Sequence, residues 1–272
     1  MMNKTSGRVS WWILLAVFGI GLCVFIAIRW DMTTYLRHKL DHALEQQHLD
    51  LTYASLQRHG LQISLHQVQF NDSHLPQALQ LDDVDISPDL FALLHGNLTA
   101  QLHIQNNFMD IQTLMTFHQQ TLAIQNLDAS GDVAHIQTWL ALPSPAHAQG
   151  QLHLEGSFNM DMNQGIPLAA DLTAHWQMGG IQMMSQSYPL GDYNLKTTML
   201  ENNIQWTLMG GKALLVQGKG SIQGAESPLL QWILKGDVQL QALPTSPLSN
   251  FLTSSQRHIK LSGQLGHPQW QF

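Results

Sequence analysis

The stretch QGQLHLEGSFNMDM, Gln149 to Met162, sets Leu152, Leu154, Phe158, Met160 and Met162 on one parity with polar residues between them. That alternation marks a strand with one buried face. Gly156 stands on the apolar parity, in mid-strand. Glycine weakens a flat strand there, yet it lets a sheet bend tightly toward that face. The device recurs in Leu234-Lys235-Gly236-Asp237-Val238 and Leu261-Ser262-Gly263-Gln264-Leu265, and more loosely in Val216-Gln217-Gly218-Lys219-Gly220. The repetition predicts a mainly β protein: a strongly curved, mostly antiparallel sheet, a half-pipe whose apolar inner face carries Gly156, Gly236 and Gly263.

Working outward, the period of two begins near Leu49. LDLTYASLQ, GLQISLHQVQF, QALQLDDVDI, LTAQLHIQ and TLAIQNLDASG precede the opening stretch, separated by Gly, Asn, Asp or Pro signals. The second changes phase, with Leu61, Ile63 and Leu65 on one side and Val68 and Phe70 on the other, which predicts a bulge or sharp twist near His66. SPDLFALLHG and VAHIQTWLALP read as two short inserted helices. LPSPAHAQG is the best candidate boundary. Beyond it strands continue to the terminal RHIKLSGQLGHPQWQF, and no long crossover helix intervenes, so neighbours should run antiparallel. An open sheet with strands in chain order can simply stop on a strand, as this terminal stretch does.

On the N-terminal side lies WWILLAVFGIGLCVFIAI, Trp11 to Ile28, without one charge. A helix needs about 20 such residues to span the hydrocarbon core. Trp11, Trp12 and Trp30 flank it at interfacial depths. The run is too long for a signal peptide and no small-residue cleavage site precedes Arg29, so it reads as a retained anchor. Lys4 and Arg8 on its short N-terminal side suggest that this end stays in the cytoplasm and the body is exported. TTYLRHKLDHALEQQH then reads as a helix. The expected organisation is a tail over 1–10, a transmembrane helix over 11–30, a helix and first β half over 31–142, a linker over 143–150 and a second β half over 151–272.

Composition excludes several classes. Only 11% of the 272 residues are charged, the formal net charge is −7, and 12 Lys and Arg form no basic run. Sequence-independent nucleic-acid binding needs a dense basic face. Cys23 is the one cysteine, which rules out a disulfide framework and a cysteine-built zinc site. His38 and His42 stand one helical turn apart, yet no third ligand is evident, so they read as polar residues on a wet face. His66, His103 and His153 read as outward-facing strand positions. Asp83 and Asp85 share one side of their strand; with no polar partners evident, they read as solvated carboxylates rather than a catalytic pair. Met160, Met162, Met178, Met183 and Met184 suit core filling or an adaptable lipid-facing surface. Hydrolase, phosphate-binding and dinucleotide fingerprints are absent, so no enzyme, metal or cofactor is expected.

The order of apolar anchor, short helix, LDLTYASLQRHGLQISLHQVQF, LQLDDVDISPDLFALLHGNLTAQLHIQ, a glycine-punctuated β-rich second half and the closing KLSGQLGHPQWQF resembles the type II secretion system protein N family, in the form related to AsmA-like membrane proteins. The resemblance implies a bacterial inner-membrane protein, single-pass with its body in the periplasm. It would serve the secretion machine through other inner-membrane components or, AsmA-like, handle lipid.

Overall fold

The alternating apolar pattern folds into one sheet of fifteen strands. The structure, a computed structural model, describes residues 50–71, 78–139, 147–183, 186–224, 231–244 and 256–271, with His38 and Ser246 besides. Trp11, Trp12, Trp30 and the segment read as an anchor lie outside the described residues. Among those described, no helix is long and apolar enough to cross a membrane.

The first half comprises β1 (Asp50–Thr52), β2 (Ser55–His59), β3 (Gln62–Asn71), β4 (Leu79–Pro88), β5 (Leu98–Asn106), β6 (Met109–His118) and β7 (Thr121–Asp132). Then come β8 (His147–Asp161), β9 (Ile166–Met183), β10 (Gln186–Leu200), β11 (Asn203–Gly210) and β12 (Leu214–Gln223). The last three are β13 (Ile233–Ala242), β14 (Gln256–Gln264) and β15 (His267–Gln271). From β3 onward each strand pairs antiparallel with the next in the chain, while β1 and β2 share the outer edge of β3. The sheet does not close on itself. The ladder takes up 147–150, within the stretch read as a linker, and β8 bridges β7 to β9 directly.

Two short helices interrupt the sheet, α1 (Leu90–Leu94) and α2 (Val133–Trp139). Asp89 caps α1, its carboxylate accepting from the amides of Phe91 at 2.8 Å and Ala92 at 3.3 Å. Asp132 caps α2, accepting from the His135 amide at 3.1 Å and ring nitrogen at 2.8 Å. Burial alone would raise the Asp132 carboxyl, but its hydrogen bonds and charge interaction with His135 outweigh that and hold it below its ordinary value.

The phase change in β3 is a local inversion. Gln67 adopts φ 52, so Leu65 and Val68, three residues apart, are both buried. Across the ladder Val84 and Leu81 invert in step, pairing with Leu65 and Val68 respectively. With Leu56 these four form one apolar cluster, backed by Ile63, Ile86, Leu102 and Ile104. A larger cluster on β10–β13 joins Leu190, Tyr193, Trp206, Val216, Leu234 and Val238. Trp232, fully buried, closes a third with Ile166 and Ile204 at one end of the strands.

β7 carries an extra residue against both neighbours. Gln112 and Leu114 on β6 oppose Asp128 and Gln125, and Phe158 and Gly156 on β8 oppose Ile124 and Leu127. Asn126, inside the bulge, has φ 50. Such bulges sharpen local twist.

Candidate functional site

The two faces of the sheet carry different chemistry, and register decides what meets on each. On the apolar face Trp206 pairs with Gly220, Gly220 with Gly236, Gly236 with Leu261, and Leu261 with Trp270. The Trp206 indole lies across these glycines. A Cβ added at Gly218 would stand 3.2 Å from its ring, at Gly220 2.6 Å, and at Gly236 2.9 Å from its Cη2. A large aromatic ring thus covers the side-chain gap left by neighbouring glycines. Next to it Trp176 and Tyr193 stack with centroids 5.3 Å apart. The Tyr193 hydroxyl donates to the Leu214 carbonyl at 2.8 Å, and burial pushes its phenol up to about 12.

The three glycines singled out by sequence occupy different surroundings. Gly236 lies under Trp206. Gly156 has φ 139 opposite the β7 bulge, where a Cβ would run into the Asp171 carbonyl. Gly263 has φ 99 beside the β14–β15 turn, with the His267 carbonyl 2.9 Å from an added Cβ.

On the polar face one row runs straight across the sheet. Ser64, Asp85, His103, Gln112, Asp128, Glu155 and Thr173 pair in succession from β3 to β9. Lys196, Thr207, Lys219, Asp237, Lys260 and Gln271 continue it from β10 to β15. Histidines stand beside carboxylates along it. His66 hydrogen-bonds Asp83, and His103 Nε2 lies 3.2 Å from Asp110. His153 lies 3.6 Å from Asp128, and His175 lies 3.9 Å from Glu155. The outward placement expected of His66, His103 and His153 therefore holds. The expectation that Asp83 and Asp85 lack polar partners does not: register brings His66 to Asp83 and the Ser64 hydroxyl to within 2.5 Å of Asp85. Both remain half-exposed strand carboxylates.

Two shallow clefts open on this polar face. One, of about 780 Å³, follows the β7 bulge and is lined by Asp128, Glu155, Asp171, Thr173 and Lys196 among others. The second, of about 470 Å³, lies over β11–β13 between Thr207, Met209, Lys219 and Asp237. Neither brings a nucleophile to a base. Among the described residues no group of three or more His, Cys, Asp or Glu is disposed to hold a metal. His38 is helical and exposed; His42 lies outside the described residues. Met178, at φ 50, and Met162 are exposed, whereas Met160 and Met183 are half-buried and Met184 lies outside the described residues, so core filling accounts for only part of that set.

One signal escaped the reading by motif. No lysine or arginine stands between Arg58 and Lys196, so β3–β9 contain neither, while Lys196, Lys212, Lys219, Lys235, Arg257 and Lys260 fall on or beside β10–β14. Spacing of basic residues along the chain would have exposed this partition.

No curated protein and no solved structure matches the chain. The family model described as type II secretion system (T2SS), protein N, matches residues 54–253, from just before β2 to beyond β13. That match takes in most of the chain and nearly all of the sheet, and the chain belongs to the type II secretion system protein N family.

Proposed function

We propose that this protein is an inner-membrane accessory component of a type II secretion system, anchored by residues 11–30 with everything after Trp30 in the periplasm. It works by protein contact, not by catalysis. The observation that carries this reading is that the family match over 54–253 covers strands that, among the described residues, pair antiparallel in chain order within one sheet. A rigid two-faced sheet is a scaffold: it fixes the relative positions of whatever meets its faces. The uncharged run Trp11–Ile28, with Trp11, Trp12 and Trp30 at its ends, supplies the anchor in this account.

A second reading has its own support. Much of the apolar face is only half-buried: Leu195, Leu208, Leu240, Ile259 and Leu261 are partly exposed, and Trp270 is 60% exposed. If Gly156, Gly236 and Gly263 bend the sheet toward that face, it becomes a groove able to shield acyl chains, as in an AsmA-like lipid handler. Extraction in mild detergent followed by mass spectrometry for both protein and lipid separates the two. Recovery of secretion-system inner-membrane proteins with no stoichiometric lipid is the expected result. Stoichiometric phospholipid with no secretion component overturns it in favour of lipid handling.

A further inference from the structure

The acidic and basic residues of the polar face are separated in space as well as in sequence. On β4–β9 this face presents Asp83, Asp85, Asp110, Asp128, Glu155 and Asp171, and those strands hold no lysine or arginine. On β10–β14 it presents Lys196, Lys219, Lys235 and Lys260 around two carboxylates, Asp237 and, by its parity with Lys196 on β10, Asp192. The centres of the two patches lie some five or six strands apart, about 25 Å at the usual strand spacing. At physiological salt a charge is screened within about 8 Å, so the patches cannot neutralise one another within one chain.

We propose that the polar face is a self-docking surface, on which a second copy of this chain lies with its basic strands against the acidic strands of the first. A twofold axis between the two sheets and parallel to their strands reverses the strand order, and so sets acid over base at both ends of the contact. Both charge signs lie on the same face of the same chain, which is why a second copy fits better than a purely cationic or anionic partner. Sheets packed face to face keep their strands within about 30° of parallel, which this arrangement allows. The face measures about 60 Å across its strands, ample for the roughly 800 Å² per partner of a specific contact. Complementary charge gives orientation and association rate more than affinity, so the dimer is a salt-sensitive one. Pairing through the polar faces leaves both apolar faces open to whatever the secretion machine or the membrane supplies.

The test is sedimentation velocity of the full chain in density-matched detergent at mildly alkaline pH. A dimer is expected at about 0.02 M salt and monomer at about 0.5 M, where the screening length has fallen severalfold. Two charge-reversed chains sharpen it: one carrying Asp128→Lys, Glu155→Lys and Asp171→Lys, the other Lys196→Glu, Lys219→Glu and Lys260→Glu. Each alone should be monomeric, and an equimolar mixture should restore a dimer at low salt, which misfolded chains would not do. The unmodified chain's salt response tests the proposal even if a reversed chain fails to fold. A monomer at low salt overturns the proposal, as does a dimer indifferent to salt and to both reversals. A mixture that stays monomeric while both variants keep the parental circular dichroism also overturns it.

Discussion

Trp206 and the glycines beneath it form an interlocking set, and their energetics can be separated from ordinary strand propensity. Valine favours strands in general. At Gly236 a branched side chain has no room unless the indole moves, so Gly236→Val should destabilise by about 1–3 kcal/mol through overpacking. In a Trp206→Ala background the same change should be milder by about 1 kcal/mol or more, because the two residues are in contact. Denaturant midpoints of the four chains in the cycle check this. Glu155→Val on the polar face should stay within about 0.5 kcal/mol of the parent. Tyr193 gives a pH signature. Its phenol, pushed up to about 12 by burial, is held neutral in the folded chain, whereas an unfolded tyrosine ionises near 10. The folded state therefore holds the proton more tightly, and stability falls as pH rises from about 10 toward 12. Tyr193→Phe should reduce that alkaline fall in melting temperature. At neutral pH it should remove about 1 kcal/mol with the hydrogen bond to Leu214.

Among the elements, β3 and β4 show what alternation can and cannot reveal. The break of phase between Leu65 and Val68 is written in GLQISLHQVQF, and the positive φ of Gln67 realises it. The matching break between Leu81 and Val84 is equally visible, yet that it lies opposite the first follows only from register. Register depends on turn geometry and on the partner strand, neither of which a single strand's period contains. For the same reason the histidine–carboxylate pairs were out of reach: His153 meets Asp128, and His175 meets Glu155, only once β7, β8 and β9 align. Both inserted helices were legible from local signals, the Ser87-Pro88 start and the stop at Pro143, although Ser87 and Pro88 belong to β4 and the helices follow the caps Asp89 and Asp132. The role of Gly156 was not, since its φ of 139 answers a bulge in the neighbouring strand. For Gln67 the expected outcome is direct. A β-branched residue tolerates φ 52 badly, so Gln67→Val should destabilise by about 1–3 kcal/mol, while Gln67→Gly should be no less stable than the parent. Thermal melts of the two variants decide it.

Over the whole molecule, fold class was written in the two-residue period and in the lack of crossover helices, and the sheet with its strands in chain order follows from both. The partition of charge was also present, as the long interval between Arg58 and Lys196, but it became a surface only when the ladder put those residues on one face. Family membership and the two-faced sheet point to a secretion-system component, and the proposed function rests on its body standing on the periplasmic side of the membrane. Thiol labelling in intact spheroplasts tests it most directly. In a Cys23→Ser chain, single cysteines at Gln120 and Asn202, both in exposed hairpin turns, would be challenged with a membrane-impermeant maleimide, alongside a cysteine at Ser6. Labelling at 120 and 202 without lysis, and at 6 only after lysis, is expected. Labelling at 6 in intact spheroplasts, with 120 and 202 protected until lysis, would contradict the periplasmic placement.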